Sequence, residues 1–436
     1  MKRPEYSKIL FLFSCALALF IYGVAVGAYR VFPYSIIAHL KSSLLEVYGE
    51  KEMILKTRPT DQLFPARYDG NGVTHLDAGK AKPGLTFLTG FFDNGNEMRL
   101  IRLDGTVVNR WPVRFSEIFT DTSHIKPESI IPKSDWNAAL QGALALPDGS
   151  VVFNFSYFGM VKLDRCGNLV WKLARETHHS VERAAGGGFW VPGARYVDSD
   201  SRYPTLKTPY TEDVIFRVSE DGEVINELSI LDILFRHNLQ GLVVRVRKPP
   251  ARDLYHLNDV EELGSDIAGS FPQFGAGDLL LSMRYDNLLM VIDPRTSEIK
   301  WYQSGPWNEQ HDPDFRTDGS ISVFNNNNDG TQDGSILGGS NIMRIDPVSR
   351  EVSFLYGEKP GQKMYSLDQG EHQNIDSGNG NLLITETGGG RVVEVSPRGE
   401  VVWEYINRYD DQDVALVTGA IRYPDGYFTV EDWSCR

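Results

Sequence analysis

Positive charge is in short supply in this chain. Its 436 residues carry 44 Lys and Arg against 58 Asp and Glu, a formal net charge of −14. Nucleic-acid binding needs a basic excess to displace phosphate counterions, so that class of partner is excluded. A small anionic substrate is not, because it needs only a local cationic pocket. Cysteine is scarcer still: Cys15, Cys166 and Cys435 are the three present. Compact C-x-x-C and H-x-x-x-H spacings are missing, so any metal ligands would have to come from separate parts of the chain. No metal and no cofactor is expected. Beyond Tyr29 no apolar run is long enough to span a bilayer.

What is present begins with a membrane signal. Lys2, Arg3 and Lys8 precede an uncharged run from Ile9 to Tyr29, about the twenty residues that cross a bilayer. Positive charge on the leading side predicts a cytoplasmic N-terminus and export of the remainder of the chain. Small residues at Ala25–Ala28 would accept a signal peptidase, but the run exceeds the usual signal core, which favours an uncleaved anchor. Cys15 lies in that run. Cys166 and Cys435 would then meet an oxidising compartment, either as two free thiols or as a disulfide tying the chain's end to an early repeat. Ile36, Ile37, Leu40, Leu44, Leu45 and Val47 have the spacing of an amphipathic juxtamembrane helix. The expected organisation is an anchor over 1–29, that helix and a connector over 30–83, and one β-domain over 84–436.

The β-domain is repetitive. L-I-R-L-D-G-T-V-V-N-R-W, ending at Trp111, has counterparts ending at Trp171, Leu228, Trp301, Phe354 and Trp403. Each is a hairpin with alternating apolar residues and a turn-forming tip, and the copies recur roughly every 50 to 70 residues. Six such units predict an all-β fold, a six-bladed β-propeller preceded by a transmembrane and a juxtamembrane helix. The first unit begins abruptly, and residues 415–430 supply strands without a closing hairpin. The C-terminus is therefore expected to complete the first blade.

The first strand of each blade should line a central channel, and histidines fall where several of these strands begin. They are His178 and His179 in T-H-H-S-V-E-R, His256 in Y-H-L-N-D-V-E-E-L, His311 in E-Q-H-D-P-D-F and His372 in G-E-H-Q-N-I-D. Singly, each reads as a core or surface histidine; together they point to a shared site in the channel mouth. A neutral imidazole can accept a transferable group if nearby donors neutralise that group's oxygens. Arg284, in L-L-L-S-M-R-Y-D-N, has the fixed fork that suits a sulfate, phosphate or carboxylate. Beside His256, Asn258 and His311 it would form an oxyanion clamp.

H-L-N-D-V-E-E-L, the Arg284 hairpin and Q-H-D-P-D-F-R-T-D-G-S-I-S-V-F-N-N together resemble the bacterial arylsulfate sulfotransferases, and looser similarity runs over about residues 70–433. The resemblance implies a six-bladed propeller and a ping-pong transfer of a sulfuryl group from an aryl sulfate to a phenol, without a nucleotide donor. By motif, His311 would be the sulfurylated nucleophile, with His256, Asn258 and Arg284 on the sulfuryl oxygens. One of His178 and His179 would be the remaining site histidine; His179 leads more directly into the strand. His372 is expected among the substrate-binding residues. The partners so implied are an aryl sulfate and a phenol; the N-terminal segment adds the membrane, and a second copy of the chain is a further expected partner. The location expected from that segment is a single pass through a bacterial inner membrane, with the catalytic domain in the periplasm or outside. The sequence departs from the family's well-studied type, which has a cleaved signal and an N-terminal β-domain, and the Arg284-to-His311 connection is short. Two other readings stand: a non-catalytic periplasmic binding propeller, and a hydrolase or lyase using the same channel, with or without a metal, which loss of activity on chelation would distinguish from the sulfotransferase.

Overall fold

The computed structural model describes residues 6–29, 31–34, 58–199, 208–243, 254–375 and 380–435, with Arg202, Tyr203 and Leu206. It divides into two units, Met1–Thr60 and Asp61–Arg436. In the first, Tyr6–Tyr29 is a helix whose hydropathy and length are sufficient to cross a membrane, a test that a signal sequence would also pass. The expected amphipathic helix over Ile36–Val47 lies outside the described residues.

The second unit is a ring of six antiparallel sheets. Blades two to five are consecutive: Leu140–Leu173, Glu182–Ser229, Leu257–Ser304 and His311–Tyr356, four strands each. Blade six runs from Glu371 to Ile406 and takes Gly72–Leu76 as a fifth, outer strand. Blade one closes the ring. Its outer three strands span Leu85–Val113, and its innermost is Val417–Tyr423, from the other end of the chain, in a register that pairs Leu88 with Ala420. The abrupt start of the first repeat has its cause here. The strand Leu63–Pro65 pairs with Asp413–Ala415.

Burial explains the sequence pattern of each blade. Middle strands are covered on both faces by neighbouring blades, so Val151–Phe155, Leu279–Met283 and Leu288–Asp293 are buried throughout. Outer strands such as Leu169–Leu173 meet solvent, with no residue buried. Three of the four closing tryptophans join one blade to the next. The Trp111 indole donates to the Asp164 carbonyl (3.1 Å), Trp171 to Glu220 (2.8 Å) and Trp403, across the closure, to Leu103 (2.8 Å). The fourth, Trp301, packs edge-on against Phe274, and its indole N–H has no acceptor among the described residues. In blade five the Asp318-Gly319 turn packs so closely that a Cβ on Gly319 would lie 2.5 Å from the Ser270 carbonyl oxygen, and its φ of +81° suits only glycine well.

Two further contacts hold the closure. Arg422, on the C-terminal strand, is buried against Glu394 of blade six (3.0 Å) and donates to Thr86 of blade one (2.7 Å). Cys166 and Cys435 form a disulfide with a Cα separation of 5.5 Å, linking a blade-two turn to the C-terminal tail. Of the two readings of these cysteines, the disulfide is the one the structure contains. Cys15 is free.

Candidate active site

The inner strands do not enter the channel straight. His179 and His256 have left-handed backbones (φ 53° and 57°), and in blade five Glu309 and Asp312, on either side of His311, are left-handed (φ 55° and 50°). The strand register slips between Leu257 and Asp259 and between His311 and Asp314. Such bulges re-aim side chains at the rim of a barrel or ring. A left-handed non-glycine residue costs about 1–3 kcal/mol and persists only where its surroundings over-determine it.

The kinks gather the histidines. The His179 ring lies 4.8 Å from His256, 6.3 Å from His311 and 4.9 Å from His178, centre to centre. His178 stands behind it, fully buried and stacked on Tyr157 at 4.2 Å, with the two Nδ1 atoms 2.8 Å apart. His256 rests against Tyr285 at 4.9 Å. His179, Asn258 and His311 line a cavity of about 50 Å³ together with Gln141, Gln369 and Thr418. Asn258 donates to the Gln310 carbonyl (2.8 Å), and its own carbonyl oxygen has no hydrogen-bond partner among the described residues. Arg284 occupies the short Arg284–Asp286 turn of blade four, with its side chain 17% exposed and paired with Glu309.

Burial sets the charge states. The His311 pKa is pushed down to about 3, first by burial and then by the Arg284 guanidinium. That of His179 lies well below the ordinary value, through burial and the neighbouring imidazole His256. Both rings are therefore neutral near neutral pH. His311 Nδ1 faces two oxygens, Asn326 Oδ1 at 2.8 Å and the Glu309 carbonyl at 3.2 Å, so Nδ1 carries the proton. Nε2 keeps its lone pair and takes no hydrogen bond from any described residue. A neutral imidazole with one bare nitrogen beside a guanidinium is equipped to accept an anionic electrophile.

His372 stands apart from the other four histidines. Its Nδ1 bonds Asp312 (2.8 Å), its Nε2 bonds Ser322 (2.8 Å), and Asp314 lies 3.4 Å away. Burial alone would lower its pKa, but Asp314 and Asp312 outweigh burial and raise it. This residue borders a second channel cavity, of about 220 Å³, whose wall includes Glu182, Asp259, Glu261 and Glu371. The carboxyls of Asp259, Glu261, Asp314 and Glu371 are all pushed well up by burial and then, for all but Asp314, by neighbouring acids; in Asp314 the nearby His372 works against burial. Asp312, Asp314 and His372 bring their ligand atoms within 4.8 Å of one another, close enough to share a cation. An imidazolium at His372 can supply that positive charge itself.

Sequence reasoning passed over these acids, Glu309, Tyr157 and Asn326. A signal for the acids was present: in H-L-N-D-V-E-E, Q-H-D-P-D and G-E-H the carboxylates sit one to six positions from the histidines along the inner strands. The other histidines lie elsewhere. His75 is on the outer fifth strand, His124 bonds Phe158 and His237 bonds Ser297; His39 is outside the described residues.

Comparison with known proteins bears on the family. The model of the family described as Arylsulfotransferase (ASST) matches residues 142–408, from blade two to the end of blade six. No curated protein matches the chain. Among solved structures, a protein of unknown function from Bacteroides caccae aligns at 13% identity over 77% of this chain and 98% of its own, with a TM-score of 0.49. A virginiamycin B lyase from Staphylococcus aureus aligns at 14% identity over 78% and 88%, with a TM-score of 0.38.

Proposed function

This chain belongs to the arylsulfotransferase family, and from that premise we propose that it moves a sulfuryl group from an aryl sulfate to a phenol through a sulfurylated His311. The observation that carries the reading is the bare Nε2 of a neutral His311, in a cavity shared with His179 and Asn258 and under the charge of Arg284.

In the first half-reaction His311 Nε2 attacks sulfur, the N–S bond forms, and the sulfur–oxygen bond to the aryl group breaks. The departing phenolate takes a proton from an imidazole N–H of the cluster. In the second, a phenol hydroxyl attacks the same sulfur, the N–S bond breaks, and the phenol's proton returns to the cluster. Donor and acceptor exchange one sulfuryl group, and no nucleotide is consumed. Arg284, His256 and Asn258 bind the sulfuryl oxygens, and His179 completes the site; charge stabilisation and positioning are what such a transfer needs. His178 supports His179 from behind. His372 contributes one step deeper, through Asp312, which adjoins the nucleophile. The helix Tyr6–Tyr29 serves as a single-pass anchor that holds the propeller on the exported side of a bacterial inner membrane.

The test uses the full-length chain in detergent with nitrophenyl sulfate as donor. Added phenol should accelerate nitrophenol release, and His311→Asn should abolish it. Release that ignores phenol, or survives in His311→Asn, would overturn the proposal.

A further inference from the structure

Four consecutive asparagines, Asn325–Asn328, close the second strand of blade five and lead out of it. Nothing in the transfer chemistry calls for such a run. In the structure each amide has a separate task. Asn325 Oδ1 accepts from the backbone N–H groups of Asn308 (2.8 Å) and Asn327 (3.1 Å). Asn327, left-handed at φ 52°, donates to the carbonyls of Leu337 and Gly339, both at 3.0 Å. The remaining two reach the reacting groups. Asn326 Oδ1 meets His311 Nδ1 at 2.8 Å, and Asn328 Nδ2 meets Glu309 Oε2 at 2.9 Å, the carboxylate that holds Arg284.

We propose that Asn326 is the positioning residue that fixes His311 in the tautomer bare at Nε2, and that Asn328, through Glu309, does the same for the Arg284 fork. The inference rests on His311 being the nucleophile. Asn326 cannot serve equally well with its amide turned over. Its Nδ2 donates to the carbonyls of Ser366 (3.0 Å) and Gln369 (2.5 Å). Turning it would set Oδ1 against those two carbonyls and the NH2 against Nδ1. The residue is fully buried, so no water can repair that mismatch. With Oδ1 so directed, the proton belongs on Nδ1, and the lone pair on Nε2 is the one left to react. Asparagine suits the task because a short side chain must accept on one side and donate on the other. Residues that orient an imidazole in this way are commonly worth about 10–100-fold in activity, and about 10⁴-fold where their loss selects the wrong tautomer.

Nitrogen-15 NMR of the full-length protein, labelled at histidine, reads the tautomer without reference to turnover, and His311→Asn assigns the signal. The expected wild-type pattern is a protonated Nδ1 and a bare Nε2. In Asn326→Ala that pattern should give way to mixed tautomers, and the nitrophenol burst should fall by about 10²–10⁴-fold. Asn328→Ala should keep the tautomer and raise KM for the aryl sulfate severalfold, a split that general loosening would not produce. Should Asn326→Ala lose its fold, shown by collapse of the other histidine signals, Asn326→Asp decides. It keeps the acceptor, adds a charge beside Nδ1, and should move the acid limit of the burst upward by about 1–3 pH units. A wild-type His311 protonated at Nε2, or an Asn326→Ala protein with unchanged tautomer and burst, would overturn the proposal. A wild type that shows the expected tautomer, loses it in Asn326→Ala and yet gives no burst would overturn sulfuryl transfer and keep the positioning role.

Discussion

Acidifying the assay from about pH 8 to about pH 5 should leave the first half-reaction almost unchanged. An imidazole at its ordinary pKa of about 6.5 would be about 97% protonated at pH 5, and a nucleophile that depended on it would slow about 30-fold. In this protein burial and the Arg284 guanidinium push His311 down to about 3, which leaves about 1% protonated at the same pH. Nitrophenyl sulfate is the donor of choice, because nitrophenolate departs as a stable anion and the profile then reports the nucleophile rather than a proton donor. A burst measured by rapid quench into alkali should stay within about twofold across this range, and its acid limit should lie below about pH 4. In Arg284→Met the guanidinium is gone and the acid limit should move upward. A burst that falls about 30-fold with a midpoint near 6.5 would refute the reasoning, since it would mean that water reaches the imidazole and burial does not set its charge.

Three other outcomes are expected of the same structure. The depressed His311 pKa means that the unfolded chain takes up a proton first on acidification. The neutral ring therefore contributes stability in full above about pH 6.5, and that contribution, of order 4–5 kcal/mol, is lost as the pH falls toward 3; denaturant melts should show a shallower acid loss in His311→Asn than in the wild type. Arg422→Met should cost about 3–5 kcal/mol in such melts, because it leaves Glu394 buried without its partner at the ring closure, whereas replacing both residues with apolar ones should restore most of the loss. Cys166→Ser opens a bridge between residues 269 positions apart, and a loop of that length predicts a loss of about 5–6 kcal/mol, read as the difference between the two proteins without reductant and its disappearance with reductant.

The propeller was legible because its repeat is written at the level of single residues. The closing aromatic, the D/G turn and the apolar hairpin recur in order, and even the missing inner strand of the first unit was visible as a gap that the C-terminus could fill. The structure adds why Trp111, Trp171 and Trp403 recur: each indole donates to the next blade's turn. The site was less fully legible. Histidines at strand entrances could be read from spacing, but spacing does not reveal that His179 and His256 are left-handed or that His178 stands behind His179. Nor does it separate His372 from the cluster, because its pairing with Asp312 and Asp314 depends on how blades five and six face each other. Asn326 was hidden for another reason: an asparagine after a strand reads first as a turn residue. Its contacts with Ser366 and Gln369 lie about forty residues away in sequence.

The identity of the covalent intermediate decides the mechanism most directly. Full-length protein incubated with nitrophenyl sulfate and no acceptor, then digested under mildly alkaline conditions, should yield one peptide carrying an added SO3 group on His311, and brief exposure to phenol should remove it. Rapid transfer with no sulfurylated histidine, or with the group on His179 or His256 instead, would contradict it.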